Sequence, residues 1–357
     1  MSFAFATAGR IVFGAGVAGD IGALASALMH RALLVTGRDP ARAEPLAARL
    51  RGAGCVLTGF AVTREPEIED VREALRVARS AACEGVVAVG GGSALDAGKA
   101  VAALLANEGD PLDYLEVIGE GRKLTAPAAP FVAVPTTAGT GSEVTRNGVL
   151  ASPEHRVKVS LRSHLMLPRL ALVDPELTLG LPPEVTASTG MDALCQLVEP
   201  FVSRRATPLT DAICRAGLDR AARSLARVFG QGDDHAARTD MAFASLCGGL
   251  ALANAGLGAA HGFAGPIGGM FPEAPHGALC ARLLPGVMET NFQALCERAP
   301  ESEARERYDR LGRILTGNPE AHAPDAVAWV DDLCHRLRIP PLSAWGITPG
   351  HVDDIVA

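Results

Sequence analysis

Three groups of residues in this chain have types and spacings that can do chemistry. The first is the glycine triplet Gly90, Gly91 and Gly92, followed by Ser93 and Asp96. It sits between a short apolar run at 86–89 and an alanine-rich stretch reaching 106. That order reads as buried strand, glycine turn and helix start, with Ser93 placed to cap the helix. Glycines admit close backbone approach, and the free N–H groups of a helix start point at an anion such as a phosphate. Taken alone, a glycine triplet is also just a tight turn, and it is not the spaced G-x-G-x-x-G pattern. The second group is Thr136, Thr137, Thr140 and Ser142, set among Gly139 and Gly141 after the apolar run 131–134. Small hydroxylated residues pack little core and suit hydrogen bonding to a polar ligand; the plainer alternative is a solvated loop. The third group is Asp192 and Gln196, spaced to share one helical face, with His261 and His276 further on, each followed by glycine.

The elements that must position these groups can be read from pattern. Alternation at 3–13 predicts one or two short strands. Strands are expected at 31–36, 55–60, 86–89, 131–134 and 170–173. Helices are expected between the first of them, at 18–29, 40–50 and 66–81, and a hairpin at 144–159. Strands alternating with helices of ten or more residues predict a doubly wound parallel sheet. In such sheets ligands bind beyond the carboxyl ends of the strands. The glycine triplet, the threonine loop and the Thr36–Gly37–Arg38 turn all fall at such ends. From Pro182 strand patterns cease, and long Ala- and Leu-rich stretches predict helices at 184–202, 207–228, 236–254, 276–291, 301–315 and 324–338. Two domains are therefore expected: an α/β domain over 1–177 and an all-α domain over 178–357.

Composition narrows the partners. A net charge of −7 without a basic block argues against nucleic acid and acidic membrane surfaces. Aromatic residues make up only 4% of the chain, too few for a base-stacking platform. No apolar run is long enough to span a bilayer. The eight cysteines include no C-x-x-C pair, and most lie in apolar helical surroundings where a thiol is a small core residue. Residues 1–8 lack a basic region followed by an apolar core, so a reducing cytoplasm is the expectation.

The motifs GGGSALDAGKA, PTTAGTGSEVT, DPELTLGLPPEVTASTGMDAL and HGFAGPIGG…PHG together resemble the iron-containing (group III) alcohol dehydrogenase family, near its maleylacetate reductase branch. They occur in the same order across nearly the whole chain. The resemblance implies a Rossmann-like domain plus a helical domain, as in the dehydroquinate synthase architecture. It also implies a homodimer formed through the N-terminal segment, and NAD- or NADP-dependent hydride transfer to a small aldehyde, ketone or keto acid. In that family one Asp and three His hold a divalent metal, iron or zinc. Here Asp192, His261 and His276 match, and Gln196 stands where the second ligand is normally His. A Gln carbonyl is a neutral, weaker donor, but three protein ligands still make an ordinary catalytic zinc site. A further family His, four residues after the first, is Gly265 here. Asp96 and Lys158 correspond to family positions near the nicotinamide and the cofactor ribose, while Lys99 reads as a packed or surface lysine. Where many NAD-preferring relatives place Asp after a Val-Thr pair, this chain has Gly37, then Arg38 and Asp39. Gly37 removes a carboxylate that would repel a 2′-phosphate, and Arg38 can bind one. Arg146, His155 and Arg162 either meet an acidic substrate or simply face water. Beside this expectation stand a metal-free maleylacetate reductase-like enzyme, a cofactor-binding protein with a degenerate metal site, and a sugar-phosphate cyclase or lyase, which the PTTAGTGSEVT loop disfavours.

Overall fold

A computed structural model describes residues 2–356. The chain divides into two units, one of 6–137 and 141–178, the other of 2–5, 138–140 and 179–356.

The first unit is built on a six-stranded, wholly parallel sheet of β1 (Ile11–Phe13), β2 (Arg31–Thr36), β3 (Val56–Ala61), β4 (Gly85–Gly90), β5 (Phe131–Pro135) and β8 (Leu170–Val173), in the order β1-β8-β5-β4-β2-β3. The central strands are short, continuous apolar runs because both faces are covered. Leu33, Val35, Val86 and Ala88 face α3 (Ile68–Ser80) and α4 (Gly92–Leu105). Their neighbours Leu34, Val87 and Val89 face α1 (Ile21–Ser26) and α2 (Glu44–Gly52). Helix α3 shows why a charged sequence folds here: Val71, Ala74, Leu75 and Ala78 form its buried stripe, and Glu67 and Asp70 close a reciprocal cap at its start. A single-turn α5 (Pro111–Tyr114) follows α4, and β6 (Asn147–Ser152) with β7 (Val157–Arg162) makes a separate antiparallel hairpin. The alternation at 3–13 yields only the three-residue β1; a strand needs a pairing partner, and among the described residues only 11–13 have one, in β8.

The second unit is helical, and no strand follows Val173 among the described residues. Its helices are α6 (Pro183–Phe201), α7 (Pro208–Gly230), α8 (His235–Ala255), α9 (Ala259–Met270), α10 (His276–Arg298), α11 (Glu303–Thr316), α12 (Ala323–Arg336) and the short α13 (Val352–Val356). Sequence pattern misses α9, whose HGFAGPIGG run carries four helix-breaking glycines and a proline. Helix α6 is the hub, buried on all sides from Gly190 to Phe201. Three polar side chains, Asp192, Gln196 and Glu199, are buried with it. Spaced four and three residues apart, they share one face and must find partners there. Among the described residues no single helix is long and apolar enough to cross a membrane.

Candidate functional site

The sheet order reverses between β2 and β4: the chain winds one way through β2 and β3, and the other way through β4, β5 and β8. Such a switch point opens a crevice outside the carboxyl ends of the strands. Gly37 follows β2, Gly90–Gly92 end β4, and Thr136 and Thr137 follow β5. Register holds these ends side by side, with Thr36 opposite Val89 and Gly90 opposite Pro135. Thr136 N donates to the Gly90 carbonyl at 2.9 Å. A Cβ on Gly90 would lie 2.6 Å from that of Ala94, so only glycine lets strand and helix meet this closely. Helix α4 starts at Gly92 with Gly91 as its N-cap, and no side chain caps it. Ser93 lies inside the first turn rather than capping, which leaves the first N–H groups as donors for an anion.

Behind the loop, Lys99 is the packed lysine of the two alternatives and not a surface one. It is fully buried, and its Nζ donates to Ser142 O (2.7 Å), Ser142 Oγ (2.9 Å), Thr145 Oγ1 (2.9 Å) and Asn147 O (2.7 Å). Asp96 accepts from Ser142 Oγ at 2.5 Å and from Val149 N at 3.0 Å. Asp96, Lys99 and Ser142 thus fasten the segment after the threonine loop to α4. Burial pushes the Lys99 amine down to about 8 and the nearby Glu143 carboxyl up to about 7, and it also raises Asp96. Lys158 is buried along its stem, 3.5 Å from Glu65. Arg38 donates to the Thr63 carbonyl at 3.1 Å, and Asp39 turns its carboxylate back to cap Ala41 N at 3.1 Å. His155 bonds Ser152 and Arg162 pairs with Glu116, both inside the first unit. Thr140 belongs to the second unit.

In the second unit the third sequence group converges. His261, in the first turn of α9, brings Nε2 to 3.2 Å from Asp192 Oδ1 on α6. His276, the first residue of α10, brings Nε2 to 4.0 Å from the same oxygen. This approach requires Gly277, because a Cβ there would lie 2.0 Å from the Ser188 carbonyl and 3.0 Å from Asp192 Cβ. The two imidazoles lie with centroids 5.4 Å apart. Gln196 Oε1 is buried and has no hydrogen-bond partner. Gly265 faces open space, with nothing within 4 Å of where its Cβ would be.

Two residues join that sequence reasoning left aside. Glu199, one turn past Gln196, accepts from His261 Nδ1 at 2.6 Å and from Ala260 N at 2.7 Å. By taking the Nδ1 proton it fixes the ring orientation and leaves Nε2 as the nitrogen that faces Asp192. Cys280 lies one turn along α10 from His276, its Sγ 3.7 Å from His276 Nε2. The donor atoms of Asp192, His261, His276 and Cys280 all lie within 4.8 Å of one another. Burial alone would hold His261 neutral, but Cys280, Asp192 and Glu199 around it raise its pKa well above the usual imidazole range. Burial likewise opposes ionisation of Cys280, yet the Cys195 hydrogen bond and the facing imidazoles hold it well below the usual thiol range. Burial raises Cys195 itself.

This donor set fits a divalent cation. One carboxylate and two correctly oriented imidazoles converge, a carboxylate backs one imidazole, and an orphaned amide oxygen stands on the same helix face. The comparisons with known proteins agree with that chemistry. The chain is 35% identical to the choline dehydrogenase of Bacillus subtilis (strain 168) over 331 residues, 91% of this chain and 80% of the relative. Its fold matches the crystal structure of a 1,3-propanediol oxidoreductase with a TM-score of 0.91 at 34% identity, covering 99% of this chain and 92% of the other. It matches the sulfoacetaldehyde reductase of Bifidobacterium kashiwanohense, solved in complex with NAD+, with a TM-score of 0.87 at 29% identity, covering 100% and 92%. The models of the iron-containing alcohol dehydrogenase family and of its C-terminal region match residues 8–175 and 186–357, and the chain, an oxidoreductase acting on CH–OH groups, belongs to that family.

Proposed function

We propose that this chain interconverts small alcohols with their aldehydes, ketones or keto acids, using NAD or NADP and a divalent cation held by Asp192, His261 and His276, with the Gln196 amide oxygen beside them. The observation that carries the reading is the convergence of those three side chains, with Glu199 orienting His261. Hydride transfer belongs to the nicotinamide, and a bound cation supplies polarisation of the carbonyl oxygen and stabilisation of the developing alkoxide.

The remaining work falls to the chain's own residues. Asp192 supplies the anionic donor from a helix buried on every side, which keeps it rigid. Glu199 holds the proton on His261 Nδ1. Gly91, Gly92 and Ser93 offer first-turn N–H groups to the cofactor's phosphates. Thr136, Thr137 and Ser142 hold its polar groups, with Asp96 and Lys158 supporting them. At the adenosine end, Gly37 carries no carboxylate, Asp39 is occupied as a cap, and Arg38, whose Nε is held by the Thr63 carbonyl, is the cation placed to meet a 2′-phosphate. The place of β1 at the edge of the sheet supports a homodimer formed through the N-terminal segment. All eight cysteines are free thiols, in keeping with a reducing cytoplasm.

The test is NADH and NADPH oxidation on a panel of aldehydes and keto acids, with metal content measured on the same sample. Metal-dependent turnover supports the reading. Full turnover with metal shown to be absent moves the chain to a maleylacetate reductase-like mechanism. Cofactor binding without turnover on any substrate leaves a degenerate site.

A further inference from the structure

We infer that Cys280 is the fourth protein donor to this cation, its thiolate replacing the imidazole that Gln196 does not provide. The inference rests on the cation site proposed above and goes beyond it.

The arrangement has a simple geometry. Helix α6 presents Asp192 and, one turn on, Gln196, which has no imidazole to give. Helix α10 presents His276 and, one turn on, Cys280, so the same i, i+4 spacing restores on α10 what α6 lacks. The distances suit a near-tetrahedral cage of four donors, whose cation would expand to five-coordinate to take the carbonyl oxygen. Metal–nitrogen and metal–sulfur bonds of about 2.1 and 2.3 Å place N and S about 3.6 Å apart, and O and N about 3.3 Å apart. The observed separations are 3.7 Å for Cys280 Sγ to His276 Nε2, and 3.2 and 4.0 Å from Asp192 Oδ1 to the two Nε2 atoms. Cys280 is fully buried, so its thiol has no solvent-facing role. On binding, the thiol proton leaves to solvent and the thiolate lone pair goes to the cation. Asp192 and Cys280 together then balance a dication, whereas an Asp and three neutral donors leave a net positive charge. Thiolate donation also shifts preference from iron toward softer ions, zinc among them.

Cobalt(II) is the probe, titrated into metal-stripped full-length protein. Wild type is expected to bind one equivalent and to show a near-ultraviolet thiolate-to-cobalt charge-transfer band. C280S is expected to lose that band while still binding cobalt, and its zinc affinity by chelator competition should fall at least ~100-fold, beyond the range for outer-shell partners. C195S, lacking the other nearby thiol, should keep the band. The C195S spectrum decides the matter even if C280S does not fold, since a band without Cys195 comes from Cys280, and C280A offers a second variant for the zinc competition. A cobalt-loaded wild type without the band, or C280S with the band intact, overturns the thiolate and leaves the Asp–His–His site standing. Wild type that binds no cobalt overturns both.

Discussion

Glu199→Gln is the substitution that tests the second carboxylate most sharply, because shape is kept and only the hydrogen-bond logic changes. Glu199 accepts from two N–H groups, Ala260 N at 2.7 Å and His261 Nδ1 at 2.6 Å. A Gln has one oxygen and one NH2. The backbone N–H of Ala260 can only donate, so it takes the amide oxygen. The NH2 then faces His261 Nδ1, which must become an acceptor, and the proton moves to Nε2. That nitrogen, 3.2 Å from Asp192 Oδ1, can then no longer offer a lone pair to a cation. Losing such an outer partner costs about 10- to 100-fold in metal affinity, or roughly 1.4 to 2.8 kcal/mol. The assay is competition with a chelator of known affinity, with metal-free unfolding measured alongside to separate binding from stability. E199Q with affinity within about threefold of wild type would refute the tautomer argument.

Three further outcomes follow from the geometry. With Gly37 bare and Asp39 engaged as a cap, NADPH should be used at least comparably with NADH, and Arg38→Ala should lower kcat/KM for NADPH selectively; a hundredfold preference for NADH, about 2.7 kcal/mol, would show a carboxylate guarding the ribose. Gly277→Ala forces a Cβ to 2.0 Å from the Ser188 carbonyl and should destabilise the helical unit by about 3 kcal/mol, read as a fall in the urea midpoint at unchanged slope. Burial raises Glu143 from 4.5 to about 7. Its folded form therefore binds more protons than the unfolded chain between those values, so its contribution is full below about pH 4.5 and is lost as pH rises through 7. Wild type should lose stability relative to Glu143→Gln across that window, by up to about 3 kcal/mol, and parallel urea titrations of the two proteins at pH 5 and pH 7.5 would expose a flat difference if the argument is wrong.

The parts legible in the sequence are those whose environment is implied by their own composition. RALLVT and LALV read as buried parallel strands because a run without polar alternation has to be covered on both faces, and Arg31–Thr36 and Leu170–Val173 are such strands. Asp192, His261 and His276 were identified by family motif, and they converge, with the two Nε2 atoms 3.2 and 4.0 Å from Asp192 Oδ1. What stayed hidden depended on where neighbours fall. Glu199 looks like a solvated helix position until α6 is seen to be buried all round; the only sequence signal is its spacing of seven from Asp192. Lys99 carries the charge of a surface residue, yet four acceptors from 142–147 surround it. Cys280 reads as a small core residue, and its four-residue spacing from His276 gains meaning only once His276 is placed beside Asp192. Helix α9 was concealed by its glycines and Pro266, tolerated there because the helix is short and Ala260, Ala264 and Ile267 pack into the core.

The central claim is that turnover depends on a cation held by Asp192, His261 and His276. It is tested most directly by NADH-dependent aldehyde reduction on one preparation, as purified, after chelator stripping, and after reloading, with metal quantified at each stage. The account predicts that activity falls with metal content, returns with one equivalent per chain, and is lost together with metal binding in His261→Ala. Full activity in stripped protein, with metal shown to be absent, would contradict it.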